Sequence, residues 1–161
     1  MSGWSVRLRR NSGAGDPGAQ EFVVEESLGY LVNRLARSMV AQLAEELRPA
    51  GVGIGQWAVL LVLWGRDGMS QAELSRSVAI EPPTMARTLD RMVRDGFVTR
   101  TADPADARVT RIHLTDEGRA LRDRLVPSAV KVNAATLGRL TPSEGRALQR
   151  LIAKLLRSSR T

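Results

Sequence analysis

The sequence predicts a mainly α, α+β fold: a winged helix-turn-helix with long N- and C-terminal helices. Three observations predict it. Residues 70–115 read as a capped helix, a second helix opened by Pro82-Pro83, and two short strands around an Asp/Pro/Arg turn. The long segments on either side carry apolar residues at steps of three and four. The 161-residue chain has a formal net charge of +7, a balance that favours an anionic partner such as nucleic acid. A general preference for arginine would give the same charge, so charge alone does not decide the partner.

The length suits one domain with a real core. Aromatic residues make up only 4% of the chain, so that core must be built from Leu, Val, Ala and Met. There is no cysteine, which excludes disulfides, thiol redox sensing and thiolate metal sites. A single histidine, His113, cannot build a histidine metal cluster, and it is expected to pack against the helices. No cofactor is expected. No apolar run reaches the roughly 18–20 residues of a membrane span, and no apolar stretch follows the N-terminal arginines as in a signal peptide. A cytoplasmic protein is the simplest expectation.

Residues 1–20 mix Gly, Ser, Asn, Pro and Arg without a period and are expected to form a disordered basic tail. Arg7, Arg9 and Arg10 can touch phosphates nonspecifically, although a solvated tail is the simpler reading. Residues 21–161 form the single domain. From 21 to 48, Leu28, Leu31, Leu35, Met39, Leu43 and Leu47 predict a long amphipathic helix ended by Pro49 and Gly51. The GVGIG segment that follows lacks a preceding strand and the spacing of a phosphate loop, so its glycines read as a turn between helices. GQWAVLLVLW, apolar almost all round, predicts a buried helix with Trp57 and Trp64 on one face.

Ser70 and Glu73 form a capping box that starts a short helix, SQAELSRSVAI. Pro82 and Pro83 open the next, because backbone N–H groups in the first turn have no helical partner to lose. In this second helix Met85, Leu89, Met92 and Val93 are expected to face the core. Thr84, Arg87, Thr88 and Arg91 fall on the opposite face. Hydroxyls and guanidiniums suit the major groove: Arg can hold guanine O6 and N7 together, and Thr can bond a base or phosphate. Pro83 and Thr84 stand at the end that enters the groove in helix-turn-helix docking. An Arg/Thr face on an isolated helix is commonly just solvated; here it lies between a capped helix and a strand pair.

Asp103, Pro104 and Asp106 form the turn between the strands. Arg108 near its tip can enter a narrow minor groove, and Asp106 is expected to orient Arg108 or a nearby amide. Arg100 and Arg111, at the strand bases, are expected phosphate contacts. The DNA-reading lobe thus spans about residues 55–115. A second long helix follows, capped by Thr115 and running to about Leu140 with a kink at Pro127. Thr141-Pro-Ser-Glu144 then caps a last helix whose apolar stripe holds Leu148, Leu151, Ile152, Leu155 and Leu156. The terminal stripes, about 21–48 and 115–158, need a partner surface. The same stripes on a second copy would make a two-fold dimer; packing within one chain is the alternative.

The stretches IEPPTMARTLDRMVRDGFVTR and DPADARVTRIHLTDEGRAL resemble the MarR family of bacterial regulators, closest to its SlyA-like branch. Asp106, Arg108, Leu114, Thr115 and Gly118 match the family's wing signature, and LARSMVAQLAEELRPAGVGIGQWAVLLVL is similar to its first two helices. The resemblance covers about residues 21–156. It implies a homodimer with terminal helices as the interface and a pseudo-palindromic double-stranded DNA operator as partner. It also implies a response to a small phenolic or otherwise aromatic anion, bound between the dimer helices and the reader. By that resemblance Tyr30, Arg34 and Trp57 are ligand candidates, with core packing an equal reading for each. The absence of cysteine excludes the peroxide-sensing branch, and the single histidine the zinc-sensing one.

The expectation is therefore a ligand-responsive transcriptional regulator of the repressor type. A ligand-independent architectural or anti-silencing DNA-binding protein is the competing reading. An enzyme is not expected, for want of paired carboxylates, a nucleophile beside a base, or a metal set.

Overall fold

A computed structural model describes residues 7–8 and 22–158. The chain divides into two compact units, residues 1–41 and 42–161. In the first, β1 (Arg7–Leu8) pairs antiparallel with β2 (Phe22–Val23), Leu8 opposite Phe22. Two residues of the expected tail are thus paired; the rest of the tail lies outside the described residues.

The helix expected from residue 21 starts later: α1 spans Leu28–Leu47. Phe22, Val23 and Val24 are strand-forming residues, and a 3-10 turn takes Val24–Glu26. Ser27, in extended conformation, then lends its carbonyl to the Leu31 amide at 3.0 Å. Serine is favoured at such a start. Leu28, Leu31, Val32, Leu35 and Val40 on this helix are all exposed.

In the second unit, Leu47 closes α1 and is fully buried. Arg48–Ala50 tighten into a 3-10 turn, and Gly51 takes a left-handed φ of 68°. The GVGIG segment is a turn between helices, as expected. α2 (Ile54–Gly65) begins at Gly53, whose amide donates to Gln56 Oε1 at 2.8 Å. Gln56, Trp57, Val59, Leu60 and Leu63 are buried, while Leu61 is exposed.

β3 (Met69–Ser70) leads into α3 (Gln71–Val78), with the capping box formed as expected: the Glu73 amide donates to Ser70 Oγ, and the Ser70 amide to Glu73 Oε2. α3 stops at Val78, because Ala79 turns left-handed at φ 57° and the Ile80 amide closes on the Ser75 carbonyl. α4 (Pro82–Arg94) follows, with Glu81 as its cap residue and Pro82 at its first position.

β4 (Val98–Ala102) and β5 (Thr110–Leu114) pair antiparallel, with Arg100 opposite Ile112. β3 adds to the other side of β5, giving the order β3-β5-β4. This third strand has no sequence signal of its own. Side chains from all three strands join Leu60, Leu63, Leu74, Met85, Leu89, Met92 and Leu121 in one core. Full burial of such a side chain contributes about 1.5–3 kcal/mol.

α5 (Asp116–Leu137) is capped by Thr115 and runs through Pro127 without ending there, and α6 (Pro142–Ser158) starts at the Thr141/Glu144 box. Leu151, Ile152, Leu155 and Leu156 on α6 are exposed. Among the described residues no single helix is long and apolar enough to cross a membrane.

Candidate nucleic-acid interface

Local sequence places the N-terminus of α4 at the surface. Pro82, Pro83 and Thr84 are exposed there, and Arg87 and Arg91 continue the same exposed face one and two turns on. Met85, Leu89 and Met92 hold the helix from beneath, with no exposure.

Two expectations for α4 are corrected. Thr88 does not belong to the reading face: it is 2% exposed, and its Oγ1 donates to the Thr84 carbonyl at 2.9 Å. The physical reason is α2, which closes that side; a Cβ on Gly55 would lie 3.6 Å from Thr88 Oγ1. Val93, expected in the core, is 40% exposed.

The wing is a turn built by carboxylates. Asp103 Oδ1 accepts the Ala105 amide at 2.8 Å and the Asp106 amide at 3.3 Å, and the Asp103 amide donates to the Val109 carbonyl at 2.8 Å. Asp106 accepts Arg108 Nε at 3.0 Å and Nη2 at 3.1 Å on its two oxygens, and the Arg108 amide at 3.1 Å. The expected orienting role of Asp106 is therefore realised through both the guanidinium and the amide. That fork and the Arg108 amide hold the Asp106 carboxyl below the usual carboxylate range. The Arg108 side chain is 91% exposed, so the tip presents a guanidinium whose geometry is set.

The two strand-base arginines have different surroundings. Arg100 Nη2 contacts Asp90 Oδ1 of α4 at 2.8 Å and is partly exposed. Arg111, expected as a phosphate contact, is engaged by protein groups, with 32% of its side chain exposed. Its Nε donates to Asp103 Oδ2, and its Nη1 to Glu73 Oε2 at 3.1 Å and the Gly68 carbonyl at 3.3 Å. The cause is two carboxylates from α3 and the wing, 38 and 8 residues away in sequence, that converge on β5. His113 lies over the turn at Gly68, where a Cβ on the glycine would stand 3.0 Å from its ring.

A crevice of about 400 Å³ separates α3 from the wing, lined by Ser70, Gln71, Ser75, Pro82, Arg108 and Thr110 among others. Sequence reasoning missed Gln71 and Thr110 as wall residues, and only the pairing of β3 with β5 could have placed them. Of the ligand candidates, Tyr30 and Arg34 are exposed on α1. Trp57 is 6% exposed and meets Trp64 edge-on, ring centres 5.6 Å apart, so it is a core ring.

A surface helix with threonine and arginine at its free N-terminal face, beside a hairpin with an arginine tip, defines a winged helix-turn-helix DNA-binding protein. The comparisons with known proteins carry this further. The model of the MarR family matches residues 54–110. Over 128 residues the chain is 31% identical to the HTH-type transcriptional repressor Rv2887 of Mycobacterium tuberculosis, covering 80% of this chain and 92% of that one. The chain belongs to the MarR family, a family of transcriptional regulators.

Two solved structures are similar over about four-fifths of the chain. Rv2887 in complex with DNA superposes with a TM-score of 0.67 at 29% identity, covering 80% of this chain and 97% of that one. Bordetella bronchiseptica BpsR, described with regulation of its DNA binding by 6-hydroxynicotinic acid, gives a TM-score of 0.75 at 28% identity, covering 81% and 94%.

Proposed function

We propose that the protein is a homodimeric, sequence-specific repressor that binds a pseudo-palindromic operator in the cytoplasm and is released from it by a small aromatic anion. The observation that carries the DNA reading is the exposed Pro83, Thr84, Arg87 and Arg91 face of α4 beside an Arg108 held by Asp106. In this reading α4 enters the major groove and Arg108 the adjacent minor groove, while Arg100 lies close enough to the α4 base to meet phosphate.

The exposed apolar residues of α1 and α6 support a dimer, because such stripes require a covering surface. Two reader lobes then meet half-sites about one helical turn apart, ~34–36 Å, or a multiple of it. Ligand response rests on BpsR, and Tyr30 and Arg34 on α1 are the proposed contacts. The motif residues 80–120 support placement in the SlyA-like branch.

The test is a titration against inverted repeats from the DNA flanking the protein's own coding sequence. Arg108→Ala should weaken operator binding about tenfold or more at fixed salt, with the dimer intact by sedimentation. Unchanged affinity refutes the wing reading. Equal affinity for unrelated duplexes favours a ligand-independent architectural protein. A panel of hydroxylated aromatic carboxylates that never releases the operator removes the ligand part alone.

A further inference from the structure

A wing reads DNA only where its tip is held at a fixed place relative to the recognition helix. We propose that Arg111 is the residue that holds it: a positioning residue for the wing, not a DNA contact. It ties the wing turn to the capping box of α3 and so sets where Arg108 meets the minor groove. This inference rests on the reading of Arg108 given above.

Arg111 sits on the middle strand β5, opposite Ser70 of β3 on one side and Thr101 of β4 on the other. Each carboxylate that it binds has a second task. Glu73 accepts the Ser70 amide at 2.8 Å and Ser70 Oγ at 2.9 Å, which starts α3, and also Arg66 Nη2 at 3.0 Å. Asp103 uses Oδ1 to shape the turn that presents Asp106, and Oδ2 for Arg111. The guanidinium therefore bridges the start of the helix-turn-helix and the root of the wing turn. Its side chain is 32% exposed, against 91% for Arg108, and Asp103 is only 10% exposed. These bonds engage Nε and Nη1 and leave only Nη2 to meet a phosphate. A forked guanidinium suits a strut of this kind because it fixes direction as well as distance.

Asp103→Asn separates the two roles of Arg111. The amide keeps an oxygen for the Ala105 and Asp106 amides and replaces the oxygen that Arg111 Nε needs with a donor. It also removes a negative charge from a DNA-facing surface. An Arg111 that bound phosphate would be freed by this change and would tighten the complex; a strut would be lost and the complex weakened.

The experiment measures operator affinity across a salt series for the full chain, Arg108→Ala, Asp103→Asn, Arg111→Gln and the Arg108→Ala/Arg111→Gln pair, with folding followed by thermal melting. Asp103→Asn and Arg111→Gln should each weaken binding about fivefold or more in the presence of Arg108. In the Arg108→Ala background, Arg111→Gln should change affinity less than about twofold and leave the salt slope unchanged. Tighter or unchanged binding by Asp103→Asn overturns the proposal. So does an equal loss on Arg111→Gln in both backgrounds with a slope shallower by about 0.9, the signature of one lost phosphate contact. An Arg108→Ala variant that binds as the parent does overturns the minor-groove reading itself, a result separate from either of these.

Discussion

Gly118→Ala should destabilise the protein substantially, although alanine is the better helix former. Gly118 lies in the first turn of α5, where a Cβ would stand 2.1 Å from the Phe97 carbonyl oxygen and 3.1 Å from its carbon. Both are backbone atoms and cannot rotate away. Carbon–oxygen contacts settle near 3.3 Å, so α5 and the β4 root must separate by about 1.2 Å. The bonds in the way are the Thr115 amide to the Phe97 carbonyl at 3.1 Å, Thr115 Oγ1 to the Gly96 carbonyl at 2.6 Å, and Trp64 Nε1 to the Gly118 carbonyl at 2.9 Å. Overpacking costs about 1–3 kcal/mol, each lost bond about 0.5–1.5 kcal/mol, and the helix propensity of alanine returns about 1 kcal/mol. With two bonds lost the net is about 3 kcal/mol, or roughly 6–12 °C in Tm for a chain of this size. Thermal melting by circular dichroism at one protein concentration measures it, the concentration being held because the Tm of any self-associating chain depends on it. An unchanged or raised Tm would mean that helix propensity decides the position and that α5 does not seat on Phe97 as described.

Three further outcomes are expected. Thr88→Val should leave operator affinity within about twofold, since the side chain is buried under α2; a loss beyond fivefold in a folded variant would return Thr88 to the reading face. Ser75→Ala should raise Tm by about 2–4 °C, because it removes a buried hydroxyl with no hydrogen-bond partner and improves the α3 helix; a lowered Tm would point to a bond that Ser75 makes in solution. Stability should fall with acid. Hydrogen bonds from the Ser70 and Ala105 amides, respectively, are the leading cause that holds the Glu73 and Asp103 carboxyls below the usual range. Burial alone would raise Asp67, but the Leu114 and Gly68 amides and Arg119 outweigh it. Depressed folded-state values give stability that is complete above the ordinary carboxylate pKa of about 4 and is lost as pH falls from there through the lower folded-state values. A Tm that is flat from pH 6 to pH 3 would contradict these bonds.

What could be read from the sequence was whatever depends on near neighbours. The Ser70/Glu73 and Thr141/Glu144 boxes, the Thr115 cap and Pro82 at the head of α4 each need only residues three or four apart, and each formed as expected. The Asp106–Arg108 fork is equally local, with partners two residues apart. The misreadings involve distant partners. Thr84 and Thr88 differ because α2 covers one of them, and nothing within the helix itself distinguishes their hydroxyls. Arg111 was indistinguishable from a surface arginine until Glu73 and Asp103 were brought to it by the sheet. β3 is two residues long and exists because β5 offers it an edge. The Trp57–Trp64 pair was by contrast local, two rings seven residues apart on one face of α2.

α2 and the turn after it bind α4, β5 and the start of α5. Gln56 Nε2 donates to Asp95 at the end of α4 at 2.7 Å, Gly55 lies against Thr88, and Trp64 bonds the start of α5. Asp67 accepts the Leu114 amide of β5 at 2.9 Å and Arg119 of α5 at 3.0 Å. Moving α4 relative to the wing would therefore break several bonds at once, most of them part-buried, each worth about 0.5–1.5 kcal/mol. A small ligand would have to supply that energy as differential affinity for the rearranged state. Changing the separation of two intact lobes breaks none of these bonds, and half-sites set about 34–36 Å apart penalise even a small error in that separation. The proposed regulation thus acts on the distance between readers, and the reader itself stays rigid.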